Sequence, residues 1–143
     1  MVNNLILRKI LVGQYRLRTT KDGRTKLRNG PIYELSVVQQ HIKSHGLVVV
    51  NEDAEEDQEK SFSPELEDDE LADLILTLEH HHYDDSERCG TTNGMLVDAD
   101  GYTIYWKRRT RTESPHGEKT YVKFGFRENR DTCLVVSIHP SKH

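Results

Sequence analysis

The side chains best suited to chemistry lie near the C-terminal end of this 143-residue chain. His139 can take up or release a proton near neutral pH, because imidazole titrates in that range. Tyr121 and Lys123 are two positions apart, so they share a face if their segment is a β-strand. Together the three residues could transfer protons and hold an anionic group. The alternatives are a sheet-packing aromatic for Tyr121 and a solvated strand end for His139.

A basic cluster with aromatic neighbours precedes these residues. It holds four cations: Lys107, Arg108, Arg109 and Arg111. Cations beside aromatic rings are typical of surfaces that bind single-stranded nucleic acid, because phosphates need the charge and bases stack on the rings. Only one of Tyr105 and Trp106 can share a strand face with such a surface, and we predict that Trp106 binds RNA with the four cations. A charged sheet edge that discourages strand addition is the alternative.

Three consecutive histidines, His80–His82, form a third candidate group. With Cys89, and with Cys133 or His139, they could be interpreted as ligands of zinc. Successive side chains on a helix point about 100° apart, however, and neither a Cys-x-x-Cys nor a His-Glu-x-x-His spacing occurs in the sequence. We therefore predict no metal ion and no other cofactor.

Two helices are predicted upstream of these groups. The first covers residues 33 to 44, with Gly46 suited to its C-terminal cap. Its apolar positions recur at helical spacing: Leu35, Val38 and Ile42. Ser63-Pro64-Glu65 has the oxygen, proline and carboxylate typical of a helix start, and predicts a second helix that runs to about Glu79. The apolar stripe of that helix is Leu71, Leu74, Ile75 and Leu78.

The C-terminal half changes to the two-residue period of strands. Four strands are predicted in order: residues 95 to 97, 102 to 108, 120 to 127 and 133 to 139. Residues 98 to 101 and 128 to 131 are turn-like, and residues 112 to 119 form a longer loop. Residues 47 to 50 suit a short strand or a packed connection. Strands joined in this way predict an antiparallel meander, and helices followed by strands predict an α+β architecture.

Charge is strongly segregated along the chain, although the net charge is only −4. Residues 1 to 28 carry eight Lys or Arg and one Asp, and Asp22-Gly23 predicts a basic hairpin between residues 14 to 20 and 24 to 28. Residues 51 to 87 carry sixteen Asp or Glu and one Lys. Such segregation indicates either a contact between the two blocks or two separate partners, one acidic, such as RNA, and one basic.

Length and composition indicate a single domain over residues 1 to 143. The apolar runs are too short to cross a bilayer, and Arg8 and Lys9 interrupt the run near the N-terminus, so we predict neither a membrane helix nor a secretion signal. Cys89 and Cys133 could form one disulfide. A chain of this length without such a signal points to a reducing compartment, however, so free thiols and a cytoplasmic location are predicted.

Several segments, taken in order, resemble the MqsR family of bacterial toxins from toxin–antitoxin pairs. They are Tyr33-x-Leu35-x-x-Val38-x-x-x-Ile42, residues 74 to 78, Tyr83-Asp84-Asp85-Ser86, Tyr121-Val122-Lys123 and Leu134-Val135-Val136-Ser137. The resemblance covers about residues 31 to 139, with residues 1 to 30 as a basic N-terminal extension. It implies a RelE-like fold, in which a curved antiparallel sheet of about four or more strands carries two main helices on one face. It also implies metal-independent cleavage of mRNA and a protein antitoxin that covers the basic sheet face.

The departures from the family pattern concern the chemistry most directly. Asp85 stands where the family has a lysine, and Thr103 stands near a family glutamine, whereas Tyr121 and Lys123 match the pattern. His81 or His82 could replace the lysine, because both lie at the corresponding helix end. The predicted catalytic set is therefore Tyr121, His139, His82, His81 and Lys123.

Two functions follow from the sequence. The first is an endoribonuclease that cleaves single-stranded mRNA by acid–base chemistry and is neutralised by an antitoxin protein. The second is a non-enzymatic interaction module whose acidic region, residues 52 to 73 with twelve carboxylates, binds a basic protein or mimics nucleic acid. The mismatched catalytic positions favour the second function. The cations at residues 107 to 111 favour the first, because an acidic mimic gains nothing from cations.

Overall fold

A computed structural model describes residues 17–19, 25–27, 30–49, 66–90, 96–126 and 132–141. The predicted helix start at Ser63 and the predicted turn at residues 128 to 131 lie outside these ranges. Within them, two helices and one eight-stranded sheet form an α+β architecture, as the sequence predicted. In chain order the elements are β1 (Leu17–Thr19), β2 (Thr25–Leu27), α1 (Leu35–His45), β3 (Leu47–Val49), α2 (Asp68–Thr77), a 3-10 turn (His80–His82), β4 (Tyr83–Gly90), β5 (Leu96–Lys107), β6 (Thr112–Glu113), β7 (Glu118–Phe126) and β8 (Cys133–Pro140).

Helix α1 forms where the sequence predicted it, and its apolar stripe turns inward. The buried residues of that stripe are Leu35, Val38 and Ile42. The helix ends before Gly46, whose φ of +75° suits a residue without a Cβ. The Gly46 N–H donates to the Ile42 carbonyl oxygen at 2.8 Å, which satisfies one of the carbonyls left open at the helix end.

Helix α2 is shorter than predicted, because Glu67 is already extended and the described helix starts at Asp68. Its acidic first turn faces the positive end of the helix dipole, which favours this start. The predicted apolar stripe is confirmed, since Leu71, Leu74, Ile75 and Leu78 are all buried. Gln39 of α1 donates its side-chain amide to carbonyl oxygens at the C-terminal end of α2, which ties the two helices together.

The strands form one sheet in the order β1-β2-β4-β5-β7-β8-β3, with β6 paired to β5. The predicted basic hairpin is confirmed in its two strands, and β2 also pairs with β4, so the hairpin extends the sheet. Strands β5, β7 and β8 pair antiparallel as predicted, and β4 adds a further antiparallel strand that was not predicted. Strand β3, in contrast, pairs with β8 in parallel, so the sheet is mixed. A run of three residues carries no sequence signal for its direction, which is why this pairing was not predicted.

The prediction of a turn at residues 98 to 101 is wrong, because β5 runs straight through them. Aspartate and glycine are typical of turns, but here the aspartates are buried in hydrogen bonds. The carboxylate of Asp98 accepts from the guanidinium of Arg88 on β4, at 2.7 Å. Tertiary contacts of these side chains therefore override the local turn preference.

Asp100 anchors the segment that leads into α1. Its fully buried carboxylate accepts the backbone N–H groups of Ile32 at 2.8 Å and Tyr33 at 3.0 Å, together with the Ser86 hydroxyl at 2.5 Å. Burial raises the pKa of Asp100 to about 6, because a buried carboxylate loses the hydration of its charge. The contact fixes the start of α1 against the middle of the sheet.

Strand β4 was not predicted at all, because four of its eight residues are charged. Each of these charged side chains has a partner on another strand of the sheet. The pairs are Asp84 with Thr103, Asp85 with Tyr121, Glu87 with Lys123 and Arg88 with Asp98. Charged residues that gave no strand signal in the sequence therefore make cross-strand contacts.

Side chains of the sheet alternate between two faces. Both helices pack on the helix-packed face, against Tyr102, Ile104, Trp106, Val122, Phe124, Phe126, Val135 and Ile138. The opposite face, here called the Tyr121 face, carries Asp85, Glu87, Cys89, Val97, Ala99, Gly101, Thr103, Tyr105, Lys107, Lys119, Tyr121, Lys123, Leu134, Val136 and His139. Both described helices therefore lie on one side of the sheet.

The sheet separates the two cysteines. Cys133 belongs to the apolar cluster of the helix-packed face, and Cys89 packs against the smaller cluster of the Tyr121 face. No disulfide joins them. The two described helices have 11 and 10 residues, and neither is long and apolar enough to cross a membrane.

Candidate active site on the Tyr121 face

Three residues of the predicted catalytic set lie together on the Tyr121 face. Tyr121 of β7 stands in register between Thr103 of β5 and His139 of β8. Lys123 is the next β7 residue on the same face. Directly paired positions on antiparallel strands hold their Cβ atoms roughly 5 Å apart. The meander therefore gathers these side chains into one patch.

Tyr121 is fixed by a hydrogen bond that crosses a whole strand. Its hydroxyl passes over β5 and donates to Asp85 Oδ1 on β4 at 2.8 Å. Gly101 lies beneath this bond, and a Cβ at that position would overlap both the hydroxyl and the carboxylate. Burial, and then the negative charge of Asp85, raise the pKa of Tyr121 well above its ordinary value. The phenol therefore stays protonated at neutral pH and serves as a fixed donor.

His139 stands beside Tyr121, with ring centroids 5.3 Å apart and ring planes inclined by 34°. Its Nδ1 lies 3.0 Å from the carbonyl oxygen of Pro140. A carbonyl oxygen can only accept, so Nδ1 carries the hydrogen in this contact, and Nε2 of the neutral ring carries the lone pair. Because His139 is only partly buried, Nε2 can act as a base toward a bound substrate.

Lys123 belongs to the patch as a buried residue. It is 4% exposed and forms an ion pair with the fully buried Glu87 of β4. Its Nζ lies 5.6 Å from the centroid of the Tyr121 ring, within reach of a cation–π interaction. Next to this pair, the hydroxyl of Thr103 donates to Asp84. Lys123 therefore positions the Tyr121 ring and does not present an exposed charge to a substrate.

The structure divides the predicted cluster of basic residues. Arg108 pairs with Glu70 of α2 at 3.1 Å. Arg111 contacts Asp69 at 3.1 Å and Asp73 at 3.0 Å on the same helix. The hydrogen bond from Arg111 holds the pKa of Asp69 below its ordinary value. Both arginines thus hold α2 against the turn after β5, and they pair with three of the four carboxylates of that helix.

The structure corrects the assignment of Trp106 to the RNA-binding surface. Trp106 is 1% exposed on the helix-packed face, where its indole N–H donates to Glu70 at 3.2 Å. Its neighbour Tyr105 points to the Tyr121 face and is 46% exposed. Lys107 shares that face, and Arg109 is exposed in the following turn. Among the described residues, neither Lys107 nor Arg109 has a side-chain hydrogen bond or ion pair.

His81 and His82 are not brought to Tyr121. His82 is buried, and its Nε2 lies 2.6 Å from a carboxylate oxygen of Glu113. Glu113 of β6 pairs with Trp106, so this contact belongs to the helix-packed face of the sheet. His81 is exposed and packs on His82, with ring centroids 4.0 Å apart. The two histidines therefore lie on the other side of the sheet from Tyr121.

His81, His82 and Glu113 also come close enough to hold a metal ion, since their ligand atoms lie within 4.8 Å of one another. The hydrogen bonds of His82 argue against this use. Its Nδ1 accepts the backbone N–H of Glu79 at 2.8 Å, so Nε2 of the neutral ring carries the hydrogen and donates to Glu113. A metal at Nε2 would need the opposite tautomer, with Nδ1 as the donor. The geometry therefore favours a structural role, in which His82 caps the start of the 3-10 turn at Glu79 and binds Glu113.

Sequence reasoning missed the contribution of β4 to the site. The bond from Asp85 to Tyr121 spans an intervening strand, and no spacing in the sequence reveals such a contact. The signal that could have found it is the alternation of Asp85, Glu87 and Cys89, which has the two-residue period of a strand. Lys119 was also missed, although it shares a strand face with Tyr121.

Comparisons with protein-family models, with curated protein sequences and with solved structures found no match to this chain. The resemblance to MqsR toxins therefore stays a prediction that rests on the quoted segments. Chemically, the Tyr121 face offers a histidine base, a phenol held in place by a carboxylate, and an exposed aromatic ring beside lysines. Such a combination suits the transfer of a proton from a bound hydroxyl group.

Proposed function

We propose that this protein is an endoribonuclease that cleaves single-stranded RNA at the Tyr121 face without a metal ion. One observation carries the proposal: the hydrogen bond to Pro140 leaves the lone pair of His139 on Nε2, beside a tyrosine that is held by Asp85. A neutral imidazole in a fixed orientation is the base that RNA cleavage at neutral pH requires.

The proposed reaction starts at the ribose 2′-hydroxyl. His139 Nε2 takes the hydroxyl proton, and the 2′-oxygen forms a bond to the adjacent phosphorus. The bond from phosphorus to the 5′-oxygen of the next nucleotide breaks, which leaves a 2′,3′-cyclic phosphate. The departing oxygen takes a proton from water, and the resulting hydroxide removes the proton held by His139. Tyr121 is a poor acid for this step, because its raised pKa keeps the proton on the phenol.

The charge on the phosphate needs cations, and Lys119 and Lys107 are the lysines that support this role. Both lie on the Tyr121 face by strand alternation, and neither side chain has an ion pair among the described residues. Lys123 supports the reaction indirectly, because its pairing with Glu87 packs a buried charge against the Tyr121 ring. Among the catalytic positions of the proposal, His139 is the base and Tyr121 orients it.

The proposal includes the MqsR-like assignment and a RelE-like fold. Its support is the layer arrangement, in which α1 and α2 cover one face of the sheet while Tyr121 and His139 stand on the other. An enzyme of this kind would act on mRNA in the cytoplasm. An antitoxin protein that covered the Tyr121 face would block His139, and this is the partner that the proposal adds to RNA.

The proposal is tested by incubating the purified protein with a long single-stranded RNA in EDTA and separating the products on a denaturing gel. We expect fragments that end in a 2′,3′-cyclic phosphate. His139→Ala removes the base and should slow cleavage roughly 100- to 10,000-fold. Tyr121→Phe should have a smaller effect, because it removes the bond that orients the ring but not the base.

His116→Ala is the matched control, because His116 is an exposed histidine in the turn before β7. It should cleave like the wild type. If cleavage survives His139→Ala, the activity belongs to a contaminant or to another site. If the wild-type protein leaves the RNA intact, the proposed enzyme function is overturned.

The second candidate is the non-enzymatic interaction module, and one observation favours it. Asp84, Asp85 and Glu87 place three carboxylates on or beside the face where the phosphate of RNA would bind. Of the acidic region that was predicted to bind a basic partner, residues 52 to 65 lie outside the described ranges. In its described part, Asp69 and Asp73 already hold Arg111. Intact RNA with every variant would support this candidate.

A further inference from the structure

Tyr105 is an exposed aromatic ring without an evident structural role. Among the described residues, Val48 and Tyr105 are the large apolar side chains with substantial exposure, at 44% and 46%. Its neighbours on β5, Ile104 and Trp106, are each 1% exposed on the opposite face. Burial of apolar area therefore does not explain why the strand carries a large ring at this position.

The surroundings of Tyr105 are basic. Lys119 of β7 lies directly opposite Tyr105 in the register, and Lys107 follows two positions along β5 on the same face. The carboxylates of the Tyr121 face belong to β4, whose pairing with β5 ends at Tyr102. The Tyr121 face thus changes from acidic at its β4 side to basic around Tyr105.

The backbone around Tyr105 is fixed on both sides. Strand β7 pairs with it through Lys119, and the N–H of Ser114 donates to the Tyr105 carbonyl oxygen at 2.9 Å. The Cα and Cβ atoms of Tyr105 are therefore held in place. The protein loses little conformational freedom when a flat ligand packs on the Tyr105 ring. Thr103, which pairs with Tyr121, lies roughly 7 Å further along β5 on the same face. A nucleotide on Tyr105 would be adjacent to one at Tyr121.

We propose that Tyr105, Lys107 and Lys119 form a subsite that binds one nucleotide of a single-stranded RNA, with its base stacked on the Tyr105 ring and its phosphates at the two lysines. Rings beside cations bind single strands in this way with little preference for sequence, because every base has a flat face. The choice of RNA as the ligand of this subsite rests on the proposed function. The subsite concerns binding, so it can be tested without any cleavage.

The test uses a fluorescent ten-nucleotide oligouridine with 2′-O-methyl groups, which lacks the attacking hydroxyl and cannot be cleaved. Binding is measured by fluorescence anisotropy at several salt concentrations. Tyr105→Ala should weaken binding roughly 5- to 150-fold, since that is the range for loss of one stacked base. Tyr105→Phe keeps the ring and should bind like the wild type. Val48→Ala is the matched control for loss of an exposed apolar side chain.

The lysines are tested by the salt dependence of the same binding. Lys119→Gln should reduce the slope of log affinity against log salt by about 0.7, because one phosphate contact is lost from a single strand. Lys43→Gln, on the exposed surface of α1, should leave the slope unchanged. An oligodeoxyuridine of the same length distinguishes a subsite for any single strand from one that recognises the ribose.

The outcomes of the binding and cleavage experiments are separable. Normal binding by Tyr105→Ala, or no binding by the wild type, overturns the subsite even if RNA is cleaved. Weakened binding by Tyr105→Ala together with intact RNA supports the subsite and overturns the proposed enzyme. A protein partner in place of RNA would appear as wild-type protein that does not shift the anisotropy of either oligonucleotide, and that result also overturns the subsite.

Discussion

Asp100 and Glu87, two buried carboxylates on opposite faces of the sheet, are held in different ways. On the helix-packed face, Asp100 accepts two backbone N–H groups and a hydroxyl, and its hydrogen-bond partners are all neutral groups. On the Tyr121 face, the fully buried Glu87 is paired with the charged Lys123. The first arrangement satisfies the carboxylate with dipoles, and the second pairs one carboxylate oxygen with an opposite charge.

The two kinds of partner indicate different roles for Asp100 and Glu87. Neutral donors tie Asp100 to the chain before α1, so the contact secures the helix layer and is needed for the fold. A buried ion pair costs desolvation and is weak evidence for added stability. On the Tyr121 face it instead keeps a cation fixed against Tyr121. We therefore infer that one carboxylate is structural and that the other supports the proposed site.

The largest effect is expected from breaking the ion pair. Lys123→Met removes the cation and leaves Glu87 buried beside an apolar side chain, so the free energy of unfolding should fall by about 3–5 kcal/mol. Adding Glu87→Leu removes the charge as well, and the double variant should recover much of that loss. Urea denaturation followed by circular dichroism measures both. Lys119→Met, on the same strand and face, is the matched control and should change stability by no more than about 0.5 kcal/mol.

The double variant also decides the purpose of the pair. If it is as stable as the wild type but cleaves RNA more slowly, the pair serves the site and not the fold. If the single and the double variants are equally unstable, the comparison between the two carboxylates is wrong, because the charge on Glu87 would then not be the source of the instability.

A smaller effect is expected from the titration of Asp100. Its pKa is raised from 3.8 to about 6 in the folded protein, so between these values the folded state binds a proton that the unfolded state has released. Stability from this group therefore rises as the pH falls from about 6 toward about 4, by at most about 1.4 kcal/mol per pH unit. Asp100→Asn should be less stable overall, because an amide oxygen accepts fewer hydrogen bonds than a carboxylate.

The measurement is the free energy of unfolding of both proteins at several pH values between 4 and 7. The difference between wild type and Asp100→Asn should shift in favour of the wild type as the pH falls, because other titrating groups contribute equally to both. Parallel pH profiles would show that neutral donors alone keep the Asp100 pKa at its ordinary value.

The sequence predicted the helix-packed face better than the Tyr121 face. The stripes of α1 and α2 were read correctly, because an apolar residue every three or four positions has one simple explanation. The strand β4 was missed and a turn was wrongly placed at residues 98 to 101, because their acidic residues imitate solvated loops. Partners that lie on another strand are not visible in a single sequence.

The candidate site was predicted in part for the same reason. Tyr121 and Lys123 share a strand, so their two-residue spacing placed them on one face. His139 required only the further assumption that the last two strands pair. Asp85 and Gly101, in contrast, belong to the site because the Tyr121 hydroxyl passes over Gly101 of β5 to reach Asp85 of β4. The spacing of residues in the sequence predicts neighbours on one strand or on adjacent strands. It does not predict a contact between two strands that are separated by a third.

The smallest effect is expected from removing that crossing bond without changing the ring. Tyr121→Phe loses the hydroxyl that donates to Asp85. Because Asp85 is only partly buried, the free energy of unfolding should fall by about 0.5–1.5 kcal/mol, as for an ordinary hydrogen bond. Tyr105→Phe removes an exposed hydroxyl from the same face and is the matched control, with an expected change of less than about 0.5 kcal/mol. A cost for Tyr121→Phe no larger than for Tyr105→Phe would mean that Asp85 does not hold Tyr121 in solution, and His139 would then lack the fixed neighbour that the proposed site requires.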